Sequence, residues 1–126
     1  MPHDETIATI VASSPGVVPL EAHEDGTIVA TAALAVRGET AALIAGATVP
    51  EYRQRGWHIA LIRERIARAR ESGARILHAA ARPASSSERN FHRCGFVTIY
   101  TRARWDRLRK GTTLDAAQDM QAEAPT

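Results

Sequence analysis

Cysteine is almost missing from this chain: Cys94 is the only one in 126 residues. One thiol excludes an intrachain disulfide framework and any all-cysteine metal site, and it suits a reducing compartment. Lysine is nearly absent too, with Lys110 alone. No long hydrophobic run occurs. The longest apolar region, residues 28–50, is broken by Arg37-Gly38-Glu39-Thr40, so it reads as two strands around a turn and not as a membrane span. The start, Met-Pro-His-Asp-Glu, carries no basic-then-apolar export signal. No internal repeat is present. A soluble, cytoplasmic protein without a membrane partner is expected.

What the chain does hold is charge sorted by position. Residues 1–51 carry one Arg against seven acids. Residues 52–110 carry fourteen Arg and one Lys against four acids, a formal balance of +11, and residues 111–126 carry three acids and no base. The middle segment is therefore an electropositive lobe able to attract a polyanion. Some of these charges belong to solvated helix faces, with Glu64 and Arg68 an i,i+4 pair.

Turn chemistry organises the first half. Residues 1–16 read as a leader of uncertain structure. Residues 17–24 and 27–36 flank Asp25-Gly26, a strong hairpin signal, and Arg37-Gly38 turns the chain again into 40–49. Three strands in a meander are predicted, at least one of them buried on both faces. Residues 57–72 follow as a helix with Ile59, Ile62, Ile66 and Ala69 on one face and Gly73 near its C-cap. Residues 75–82 read as a strand parallel to its predecessor. Ser85-Ser86-Ser87 then supplies N-caps for a short helix to about Cys94, which Gly95 ends. Residues 96–105 read as a last strand, and 111–126 as a flexible tail. The order is β-β-β-α-β-α-β: one α/β domain over residues 17–110, built on a mixed sheet.

The turn at Arg53-Gln54-Arg55-Gly56-Trp57-His58 is the most informative stretch. It lies at a helix N-terminus, where several N–H groups lack intrahelical partners and the dipole favours negative charge. Such a place suits phosphate. Gly56 permits close approach of an anion, and Arg53 and Arg55 add positive charge.

That turn, preceded by Val49-Pro50, and the later Ser87-Glu-Arg-Asn-Phe91-His-Arg-Cys-Gly95-Phe96 together resemble two motifs of the GCN5-related N-acetyltransferase (GNAT) family. The resemblance spans residues 17–105. It implies an acyl-CoA-dependent N-acyltransferase, with acetyl-CoA as co-substrate, no metal, and a small-molecule or peptide amine as acceptor. It implies that Arg53, Gln54, Arg55, Gly56, Trp57 and His58 hold the CoA pyrophosphate. It also implies that the strand before the loop splays from the strand after the helix to admit the pantetheine arm. An N–H around Ala47, Thr48 or Val49 would then meet the thioester carbonyl. Ser87 and Asn90 complete the expected cofactor side.

Two residues depart from the family pattern. His58 stands where Gly or Ala is usual; it is either a solvated helix-start histidine or a ligand for phosphate or substrate. Phe91 stands where a proton-donating Tyr is usual, so Ser87 is the remaining catalytic candidate, though it can instead serve as a helix cap. No acceptor-side base is assignable: Glu24, Glu39 and Glu51 lie by turns, His78 reads as a core or cleft residue, and Cys94, Trp57 and Trp105 as packing. The family's usual N-terminal elements are short here, so a homodimer or a partner domain is expected to complete that side. Two alternatives stand beside the enzyme: an inactive acyl-CoA-binding module of the same fold, and an Arg-rich nucleic-acid binder. The second is disfavoured because its arginines spread over several elements without a recognition motif.

Overall fold

Asp25 and Gly26 both adopt left-handed backbone, at φ of 51° and 78°, as a two-residue type I′ hairpin turn requires. They join strand β1 (Val17–Glu24) to β2 (Thr27–Arg37), and a second tight turn joins β2 to β3 (Thr40–Thr48). These observations come from a computed structural model that describes residues 14–107 and Arg109. Of the leader expected at 1–16, residues 1–13 lie outside the described residues, as does the tail expected at 111–126.

The three strands pair antiparallel in sequence order, and a fourth, β4 (Ile76–Ala79), joins β3 in parallel. Between β3 and β4 run a single 3-10 turn (Pro50–Tyr52) and helix α1 (Trp57–Glu71). A second helix, α2 (Ser86–Arg93), follows β4. The described residues divide into two compact units, the first ending at Ala80 and the second beginning at Ala81. The mixed α/β order matches the sequence reading through α2.

The core of the first unit is built largely from alanine. Ala32, Ala33 and Leu34 are buried in succession, so both faces of β2 are covered, as expected for one strand of the meander. Helix α1 packs on β2 and β3 and contributes Leu61, Ile62 and Ala69. Leu34 and Ile62 are essentially solvent-free, each worth about 1.5–3 kcal/mol of apolar burial.

The buried face of α1 differs from the predicted one. Ile59 and Ile66 are only half-buried, while Leu61 and Arg65 face inward. Residues 61, 65 and 69 follow an i,i+4 ridge with Ile62 beside it on the same face, so the helix is rotated relative to a face centred on the isoleucines. Ser72 caps the helix through its N–H to the carbonyls of Arg68 and Arg70.

Two predicted strands need correction. The strand expected at 75–82 is paired only over Ile76–Ala79, against Thr40–Leu43. Its partner bends away beyond that point, so residues 80–82 have no ladder to join. The strand expected at 96–105 does not form. Val97 and Ile99 are 82% exposed and Trp105 is 92% exposed. Their β-branched and aromatic character cannot make a strand without a neighbouring ladder, and none is made among the described residues.

Candidate acyl-CoA site

The bend in β3 has a local cause. Ala33 pairs with Ile44 and Thr31 with Ala47, leaving Ala45-Gly46 opposite Ala32 alone. This two-against-one count is a β-bulge, which bends the bulged strand. Ala45 sits at φ 55°, a left-handed conformation costing an L-residue roughly 1–2 kcal/mol. Beyond Leu43, β3 has no strand partner on its β4 side among the described residues. The two strands thus part as the resemblance requires.

Val49 donates its N–H to the Val29 carbonyl at 2.9 Å. Of the three expected thioester donors, Val49 is therefore engaged within the sheet. Hydrogen-bonding direction alternates along an antiparallel ladder, so Thr48 turns its N–H and carbonyl to the open edge, and Ala47 turns back toward β2. The Thr48 carbonyl is met there by Arg53, whose Nε donates to it at 3.3 Å.

The loop itself begins with the 3-10 turn, closed by Tyr52 N–H to the Val49 carbonyl at 2.9 Å. Gln54 at φ 62° and Gly56 at φ 87° are both left-handed, and Gly56 is the N-cap of α1. No side chain caps this helix, and no acid lies in its first turn. The first turn of α1 therefore has no side-chain cap, at a helix end that favours negative charge. A Cβ built on Gly56 would meet nothing within 4 Å. These residues fit a pyrophosphate: a helix start without a side-chain cap, open space at Gly56, and exposed Arg53 and Arg55 beside them. Arg55 lies 3.7 Å from Glu24 and 4.9 Å above the centre of the Tyr52 ring. The structure thereby accounts for Glu24 as an ionic neighbour of the loop.

His58 points into the bulge. A Cβ on Gly46 would lie 3.6 Å from His58 Nε2 and 3.9 Å from Arg65 Nη2. Burial first, and the charge of Arg65 second, hold the imidazole below its ordinary value of 6.5, so the ring is neutral at pH 7. Arg65 is 1% exposed. Its Nε donates to Leu61 O at 3.0 Å, and its Nη1 donates to Ala33 O at 3.3 Å and Ile44 O at 3.2 Å. Sequence reasoning missed this residue because arginines were assigned to solvated faces. Its i,i+4 relation to Leu61 and Ala69 was the available signal.

In the second unit Ser85, not Ser87, caps α2: its hydroxyl accepts from the Glu88 N–H at 3.1 Å. Capping therefore does not account for Ser87, which lies half-buried in the first turn. Asn90 Oδ1 accepts from Arg93 at 3.2 Å. Phe91 is buried with its ring edge-on to Phe96 at 5.2 Å, an apolar contact with no proton to give. His78 is exposed, contrary to the core alternative, because its strand lies at the end of the described sheet.

No described helix is long and apolar enough to cross a membrane. A sequence model of the acetyltransferase (GNAT) family matches residues 2–96. Among curated protein sequences no match is found. Several solved structures share the fold. Aminoglycoside N-acetyltransferase AAC(6')-Iy in complex with CoA is 19% identical at a TM-score of 0.66, with 86% of this chain and 87% of that one covered. A putative acetyltransferase from Agrobacterium tumefaciens is 22% identical at 0.67, covering 81% and 76%. The ribosomal-protein-S18-alanine N-acetyltransferase from Escherichia coli is 21% identical at 0.69, covering 79% and 63%.

Proposed function

The chain belongs to the acetyltransferase (GNAT) family, and we propose that it is an acyl-CoA-dependent N-acyltransferase in which an amine attacks directly within a ternary complex. The observation that carries this reading is the uncapped, acid-free start of α1, opened by a left-handed Gly56. Bound acyl-CoA supplies an activated thioester. The chain supplies the rest. The first-turn N–H groups of α1, with Arg53 and Arg55, hold the pyrophosphate. Thr48 presents its N–H at the open edge of β3, where a preorganised donor facing the acyl oxygen can be worth ~3 kcal/mol. Neutral His58 can accept a hydrogen bond there.

With Phe91 in the place of the motif's usual Tyr, Ser87 is the remaining candidate to protonate the departing thiolate. The acceptor is a small-molecule or peptide amine; similar folds serve an aminoglycoside and a ribosomal-protein alanine. The buried, apolar setting of Phe91 favours a second reading, a CoA-binding module without turnover.

Calorimetry with CoA tests the first step. Gly56→Glu brings bulk and negative charge to the loop and is expected to abolish binding. Gly56→Ala, strained but neutral, is expected to weaken it by less than about tenfold. Normal affinity in a folded Gly56→Glu protein would refute the loop assignment. CoA release on an amine panel then separates enzyme from silent binder.

A further inference from the structure

One side chain ties three elements together where β3 changes register. Arg65 Nη1 donates to the carbonyls of both Ala33 and Ile44, at 3.3 and 3.2 Å, and these residues form the last pair before the bulge. Its Nε donates to Leu61 O in its own helix at 3.0 Å, which anchors the guanidinium to α1. The arrangement is costly. Arg65 is 1% exposed and its Nη2 makes no hydrogen bond. Burial pushes the guanidinium down to about 10, so it stays charged at pH 7, and carbonyls only partly replace the hydration it has lost. An apolar side chain of similar volume would hold the helix on the sheet about as well. Stability alone does not explain an arginine here.

The bulge itself is strained. Ala45 is left-handed, while Gly46, which could take that conformation freely, is not. A bulge one residue further along β3 would pass the left-handed position to Gly46. Packing does not forbid that shift. A methyl at 46 would make only ordinary contacts, at 3.6–3.9 Å, and in an alanine-rich strand a slip exchanges methyl for methyl, so register is weakly specified. The Ile44 carbonyl belongs to the peptide group that leads into Ala45. Arg65, by holding that carbonyl, holds the plane about which the Ala45 φ is set.

We propose that Arg65 is a positioning residue for the acyl group: it keeps the bulge at Ala45-Gly46, and so fixes where β3 leaves β4 and where the Thr48 N–H stands. The inference rests on the acyl-CoA reading above. β4 pairs with β3 only as far as Leu43, two residues before the left-handed Ala45. A later bulge would let β3 run straight beside β4 for one residue more, roughly 3.3 Å of strand, and would redirect the segment that leads to Thr48. The phosphate loop is held separately, by the 3-10 turn and the start of α1. CoA should therefore bind whether or not the bulge is in place.

The test separates positioning from binding on the full chain. A residue at positive φ gives a strong nuclear Overhauser contact between its own amide and α protons, which reports Ala45 directly. Wild type should show that contact and Arg65→Met should lose it. Acetyl-CoA labelled at its carbonyl carbon should show a lowered infrared stretch on the wild type, where Thr48 N–H meets its oxygen. In Arg65→Met the band should move back to higher frequency, while CoA affinity by calorimetry changes by less than about threefold. Exchanging the two bulge residues in that background (Arg65→Met with Ala45→Gly and Gly46→Ala) favours a bulge at 45 by roughly tenfold and should restore the lowered band without the arginine. The exchanged protein also carries the test if Arg65→Met does not fold. Failure of both to fold would make the arginine structural only and overturn the proposal. So would a folded Arg65→Met that keeps the Ala45 contact and the band. Loss of the contact with an unchanged band overturns the acyl role. Failure of the wild type to bind acetyl-CoA overturns that role together with the CoA reading, and the Ala45 contact still decides whether Arg65 holds the bulge.

Discussion

His58 and Arg65 stand seven residues apart on one face of α1 and converge on the same glycine, with Nε2 3.6 Å and Nη2 3.9 Å from the missing Gly46 side chain. One side chain starts the helix and the other lies two turns in, so the helix axis runs alongside the β3 bulge. The phosphate loop and the bulge are thereby two ends of one arrangement. Moving either histidine or arginine changes what the other meets.

Charge coupling between them is measurable. An NMR titration of His58 ring protons should give a pKa below 6.5. Arg65→Met should raise it toward that value without reaching it, since burial, the larger cause, remains. An unchanged pKa would remove the coupling. The same shift has a sign for stability. The unfolded chain protonates His58 near 6.5 and the folded chain only at lower pH, so the unfolded state binds more protons in between. The contribution is whole above 6.5 and is lost as pH falls through the folded value. Urea midpoints should decline over that window, and less steeply in His58→Gln.

Removing the buried charge should cost little when its volume is kept. Arg65→Met loses hydrogen bonds to carbonyls but also removes an unpaired cation, and the two effects offset to within about 1 kcal/mol. Arg65→Ala adds a cavity and should cost about 3 kcal/mol. Urea unfolding of the pair separates these outcomes. A Met variant as unstable as the Ala variant would mean that the carbonyl contacts outweigh the charge.

Two serines two positions apart should behave differently. Ser85→Ala removes the α2 cap and should cost about 1 kcal/mol of stability with little change in CoA affinity. Ser87→Ala should leave stability nearly unchanged and lower kcat about a hundredfold, the lower range for a proton-transfer group. Thermal melts and CoA-release rates on both variants decide the matter. Equal turnover in Ser87→Ala and wild type would remove the serine from the chemistry.

Glu24 competes for a loop arginine. Its 3.7 Å pair with Arg55 is partly exposed, and such pairs are weak. Glu24→Gln should therefore tighten CoA binding by about twofold, with the gain fading as salt rises. Weaker binding in this variant would show that Glu24 positions Arg55 instead of restraining it.

Much of the fold was legible because it follows from short-range rules. Asp25-Gly26 forces a hairpin, and the apolar period after Gly56 forces a helix. The anion-holding character of that helix start was also readable, since it depends on backbone geometry and nearby arginines. What escaped depends on partners distant in sequence. The Ala45-Gly46 bulge leaves no trace in an alanine-rich strand whose two faces look alike. Arg65 reads as solvated until Ala33 and Ile44 are known to lie beside it. Residues 96–105 carry strand-like side chains, yet a strand exists only with a ladder beside it. Ser85 and Ser87 are equivalent on paper, and only the helix start distinguishes cap from first turn.

The alanine lining of β2 has a meaning beyond packing. A sheet covered by leucine or valine hides its peptide groups beneath side chains. Ala33, buried next to the bulge, leaves its carbonyl within reach of an arginine from the overlying helix. The backbone here acts as a ligand surface, and methyl-sized residues are what keep it accessible. Enlarging Ala33 would act less by crowding the interior than by displacing a guanidinium, turning a volume change at one strand into an electrostatic change beside His58.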